Sequence, residues 1–145
     1  MTDLRQIAVI LATIVFAPSA EAEEYHESIQ RMALAGIEMA YCSDQVYCAP
    51  ATEAELHSPP VDPATMEQTI SVAALSVLAE NCGFDFERQV FAPYMQSLRA
   101  DGGLAERQIA IVGVSHGIVM GLFDEEAQFQ CSDEARQILA QNGIE

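Results

Sequence analysis

The chain has 145 residues, half of them hydrophobic, a formal net charge of −16 and no lysine. That length suits one domain with a feasible single core. So acidic a surface disfavours nucleic acid and anionic membrane faces, both of which reward basic patches; a basic protein is the partner class that it suits.

Residues 1–22 have the three parts of a cleavable secretory signal peptide. Arg5 and the amino group mark the start, residues 7–16 form an unbroken apolar run, and Ala20-Glu21-Ala22 is an A-x-A cleavage site. The apolar run is half of the roughly 20 residues that a spanning helix needs, which argues against an anchor. Cleavage after Ala22 would leave residues 23–145 as a single helical domain with 20 acidic and 5 basic side chains. It would act in the periplasm or outside the cell, with no further contact with the membrane. In such a compartment, four cysteines read as two disulfides.

The first predicted helix covers 24–41, with Tyr25, Ile29, Met32, Gly36, Ile37, Ala40 and Tyr41 along one face. Residues 42–48 interrupt it. The polar stretch 49–61, with Pro50, Pro59 and Pro60, is expected to be a mobile loop. Asp62 then supplies an N-cap and Pro63 a first helical residue for a helix that Gly83 stops. Asp85 caps a third helix over 86–100, which Pro93 should kink or restart and 101–103 should end.

Residues 104–123 are the most apolar stretch of the chain after the signal. They read as a central helix buried on most sides, with a strand at 108–114 as the alternative. A last helix, over 133–142, is capped by Ser132 and ended by Gly143. The fold class is therefore all-α: four to five helices around the central one, stapled by disulfides. Among the three possible pairings of four cysteines, Cys42–Cys48 would be a local staple. Cys82–Cys131 would tie two helix ends across a long loop.

Gly113-Val114-Ser115-His116-Gly117 matches the G-x-S-x-G elbow of α/β hydrolases. That chemistry needs a histidine after the serine-bearing elbow to serve as base. The histidines are His26, His57 and His116, and none lies downstream of the motif. Residues 109–118 also resemble the second active-site segment of the histidine phosphatases, a strand ending in Ser-His-Gly. The Arg-His-Gly segment that this family requires near its amino end is absent, and Arg31 is followed by Met32. Gly113, Gly117 and Gly121 recur every fourth residue, so a helix would align them as a smooth stripe for a closely packed neighbour.

No metal site is expected. The histidines have no common spacing, Cys42-x5-Cys48 lacks the C-x2-C spacing of zinc sites, and Asp124-Glu125-Glu126 lacks the alternation of a calcium loop. No cofactor motif is present. In size, signal, helices and paired cysteines the chain resembles, in outline, periplasmic immunity proteins that protect against cell-wall toxins. The resulting expectation is a non-enzymatic binding or interaction module. The alternatives are an acidic inhibitor or immunity-type protein for a basic toxin or enzyme, and a small hydrolase using Ser115 and His116.

Overall fold

The computed structural model describes residues 19–145. The expected signal peptide lies outside the described residues up to residue 18, while Ser19–Ala22 begin the first helix. Among the described residues the fold is all-α, with six α-helices and one two-stranded hairpin. In chain order these are α1 (Ser19–Ala35), β1 (Tyr41–Ser43), β2 (Val46–Tyr47), α2 (Glu53–His57) and α3 (Pro63–Asn81). They are followed by α4 (Ala92–Asp101), α5 (Glu106–Phe123) and α6 (Asp133–Gln141).

Local chemistry explains where most of these helices begin and end. The Asp62 side chain accepts from the Thr65 N–H at 2.9 Å, with Pro63 in the first helical position of α3. Gly83, with φ +82, ends the helix: its N–H reaches the Glu80 carbonyl, and the Phe84 N–H reaches that of Ala79. Gly143 closes α6 in the same way, after Ser132 has capped its start. Asp85 accepts from the Arg88 N–H as foreseen. At Pro93 the backbone neither breaks nor leaves the helical region, and the helix changes its winding just before it. A wide π turn over Glu87–Phe91 precedes α4, with the Ala92 N–H bonded five residues back to the Glu87 carbonyl. Proline has no N–H to continue the regular ladder, and the wide turn absorbs the gap.

The first helix is shorter than its apolar spacing suggests. It ends at Ala35, and a 3-10 turn over Ile37–Met39 leads into the hairpin. The buried face of α1 is Ile29, Gln30, Ala33 and Leu34, whereas Met32 is exposed. Tyr41 fits a helical period by coincidence. It pairs across the hairpin with Tyr47, and Gln45, at φ 60, makes the reversal.

The stretch 49–61, read as a bare polar connection, contains α2, started by a capping box between Thr52 and Glu55. Arg107 of α5 fastens it, donating to both carboxylate oxygens of Glu55 and to the Ala49 and Pro50 carbonyls. Gln30 brackets Val61 from both sides, donating to its carbonyl at 2.8 Å and accepting from its N–H at 3.0 Å.

α5 is the central helix, packed chiefly on α3 and α1. The main core joins Ile29, Leu34, Met66, Ile70, Ile111, Val112 and Val119; a second gathers Val77, Leu78, Phe129, Leu139 and Ile144 beneath α6. α3 contributes to both and makes them continuous. All four cysteines are paired, Cys42 with Cys48 and Cys82 with Cys131, as the spacing predicts. No helix among the described residues is long and apolar enough to cross a membrane. Pairing of every cysteine is compatible with an oxidising, extracytoplasmic setting.

Candidate functional site

Ser115 and His116 lie in the middle of α5, so no strand and no elbow forms around them. Consecutive residues on a helix diverge by about 100°, and the two side chains serve different contacts. Ser115 is fully buried, and its Oγ has no hydrogen-bond partner. His116 is 2% exposed; its Nε2 lies 2.9 Å from Ser76 Oγ, and its ring lies against Phe91 with centroids 4.4 Å apart. Burial pushes the His116 pKa down to about 4, so the ring is neutral at physiological pH. Ser76 and His116 would be a nucleophile–base pair by distance alone, but both are sealed in the α3–α5 contact.

His26 is buried on α1, its Nδ1 is unpartnered, and desolvation lowers its pKa. His57 is exposed on α2 beside Glu53. The three histidines therefore occupy three separate environments. Among the described residues, no three His, Cys, Asp or Glu side chains come together in a geometry that could hold a metal ion.

The glycine stripe needs correction. Gly113 alone faces neighbours: a Cβ built there would lie 3.5 Å from Met95 Cε and 3.8 Å from Phe91 Cζ, ordinary contact distances. At Gly117 and Gly121 a Cβ would meet nothing within 4 Å, and both residues are exposed. The buried face of α5 is set by Ile111, Val112, Ser115, His116 and Val119, and the stripe turns away from it into solvent. No helix backbone approaches Gly117 or Gly121.

Gly113, at the start of the stripe, opens onto a groove in the surface. The groove, of about 370 Å³, runs between α4, α5 and the hairpin, lined by Ala40, Tyr41, Phe91, Met95, Ile109, Ala110, Gly113 and Val114. Glu87, Gln96, Arg99 and Glu106 stand along its polar margin. At one end the hairpin presents Tyr41 and Tyr47, each more than half exposed. Their rings stack with centroids 4.5 Å apart, and their hydroxyls lie 3.1 Å from each other. The bond to Tyr47 raises the Tyr41 pKa above the ordinary phenol value. Met39 (81% exposed) and Val46 (57%) extend the apolar surface.

Sequence reasoning missed this face. Tyr41 was assigned to the buried side of a helix, and residues 42–48 to an interruption. The available signal was Cys42-x5-Cys48 itself: a disulfide across so short a span forces a reversal, and the irregular register of the hairpin then sets Tyr41 opposite Tyr47. Compared with models of protein families, with curated proteins and with solved structures, the chain matches none.

Proposed function

We propose that this protein is an exported, non-enzymatic interaction module that works in the periplasm or outside the cell and binds through the hairpin–groove face. One observation carries the reading: an aromatic pair and its apolar neighbours are held in the open by a disulfide. The Cys42–Cys48 bridge joins the two residues that follow Tyr41 and Tyr47 in the chain. Rigid, exposed tyrosines bury large area at low entropic cost, which is why they are enriched at interfaces. Contiguous apolar surface of this kind marks interaction sites. The disulfides and the signal-like residues 1–22 support the compartment. The burial of Ser115 and His116 supports a structural role for both, in preference to hydrolysis.

The test is a paired capture. Mature protein and the Tyr41→Ser/Val46→Ser variant are immobilised and exposed to the same extracytoplasmic extract, after circular dichroism has confirmed equal folding. Proteins retained by the parent and lost by the variant support the reading. Identical retention on both, or none on either, refutes it.

A second reading is an inhibitor or immunity-type protein for a basic toxin or enzyme. It is favoured by the charge of −16 and uses the same face. It predicts that a captured partner is an enzyme whose activity falls when this protein is added.

A further inference from the structure

The chemistry of the hairpin–groove face narrows what can occupy it. Its floor is apolar: Phe91, Met95, Ile109, Ala110, Gly113 and Val114. It is widened where Gly113 has no side chain. At the hairpin end the floor meets the stacked Tyr41–Tyr47 pair, whose stacking and hydroxyl contact hold the two rings together. Two exposed carboxylates, Glu87 and Glu106, border the groove, and neither is in an ion pair among the described residues. Asp44 and Glu38 are exposed on the hairpin tip and on the 3-10 turn before it. Arg99 is the single cation on the groove margin among the described residues.

We infer that this face takes an arginine-bearing segment of a basic protein partner. The inference rests on the interaction reading above. Arginine combines the properties that the face rewards. Its methylene stem is apolar and suits the floor, its planar guanidinium stacks on a tyrosine ring, and its fork pairs with a carboxylate. Charge selects against the other occupants. A second mature copy would bring another 20 acidic against 5 basic side chains to the contact, and nucleic acid and anionic lipid would be repelled in the same way. Arg99 sets a limit on the register: the partner's cations belong near Glu87, Glu106 and the hairpin, away from Arg99.

The experiment uses a short peptide of alternating leucine, glycine and arginine. Two counterparts replace arginine by citrulline, which keeps the shape without the charge, or by glutamate. Each is titrated into the mature, disulfide-intact protein and followed by amide chemical shifts, at low salt and at about 0.15 M. The arginine peptide should shift the signals of Tyr41, Tyr47, Ala110, Gly113 and Val114. It should bind about 10-fold tighter than the citrulline peptide at low salt, with the difference shrinking as salt is added. The glutamate peptide should not bind. Glu87→Gln/Glu106→Gln should abolish the arginine preference, and Tyr41→Ser should weaken the arginine peptide.

Equal binding of the arginine and citrulline peptides overturns the inference. So do shifts confined to another acidic face such as α6, or no binding at all. Binding by the face and its preference for arginine are separable. If captured partners are lost with Tyr41→Ser/Val46→Ser but kept with Glu87→Gln/Glu106→Gln, the face binds and the charged occupant is wrong. If partners ignore both variants, the face itself is wrong.

Discussion

Ser76 has one hydroxyl proton, and it is committed to the Val72 carbonyl at 2.9 Å on its own helix. Its oxygen can then only accept from His116, so Nε2 of His116 carries the hydrogen and the ring is held neutral in one tautomer. Protonation would place a full positive charge in a ring that burial has desolvated. This has a measurable consequence. The folded-state pKa of about 4 lies below the usual 6.5. Stability from this group is therefore complete above pH 6.5 and is lost as pH falls toward 4, because the unfolded chain takes the proton first. Between pH 7.5 and pH 5 the loss should be about 2 kcal/mol, read from urea unfolding. His26, also depressed, adds in the same direction. His116→Gln, which can still donate to Ser76, should flatten the slope in part. An unchanged slope in that variant would show that His116 does not carry the effect. Glu55 acts in a lower window. Its pKa is held down to about 2, first by hydrogen bonding to Arg107, so its contribution is present above pH 4.5 and fades below it.

Arg107 is the other residue whose role only the fold reveals. In sequence it is one cation among strong helix formers at the start of α5. In the structure it reaches across to Glu55 and to two carbonyls of the preceding connection. Arg107→Lys keeps the charge and loses the planar fork. The pair is partly exposed, so the stability cost should be modest, roughly 1 kcal/mol. The larger effect should be faster hydrogen exchange at residues 52–58. If those amides exchange freely in the parent as well, the clamp does not order the segment. That result would support the expectation of a mobile loop over 49–61.

Among the elements, the most legible were those with chemical punctuation. Asp62-Pro63, Gly83, Asp85, Ser132 and Gly143 each announce a start or a stop, and the helices between them lie where periodicity places them. The less legible elements lack such marks or carry ambiguous ones. Gly36 stops α1 without a left-handed conformation, and the pattern through Ala40 and Tyr41 continues a helical period that the backbone abandons. The three glycines of α5 misled in a different way, since a stripe of small residues fits a tight crossing or an exposed face equally well in one dimension. The structure decides for the exposed face at Gly117, which reverses the sign of its substitution. Gly117→Ala should stabilise by up to ~1 kcal/mol, raising the melting temperature by a few degrees, because alanine adds helix propensity and clashes with nothing. A lower melting temperature would mean that a neighbour packs there after all.

At the scale of the whole molecule the two disulfides divide the work. Cys82–Cys131 spans 49 residues and ties the end of α3 to the approach of α6, beside the second core. By loop-closure entropy it contributes about 4 kcal/mol, against about 2 for the six-residue span of Cys42–Cys48. Replacing Cys82 and Cys131 by alanine should therefore destabilise the domain far more than replacing Cys42 and Cys48. The second pair of substitutions should instead loosen Tyr41 and Tyr47, reducing partner capture with little change in helical circular dichroism. Equal losses of stability from the two double variants would remove this division.

The central claim, that the hairpin–groove face is where the protein binds, is tested most directly by amide hydrogen exchange of the mature protein, alone and saturated with a partner it retains from extracytoplasmic extract. Added protection is expected at residues 39–47 and over the first two turns of α5, with the α6 amides unchanged. Protection concentrated on α6, with residues 39–47 exchanging as in the free protein, would contradict it.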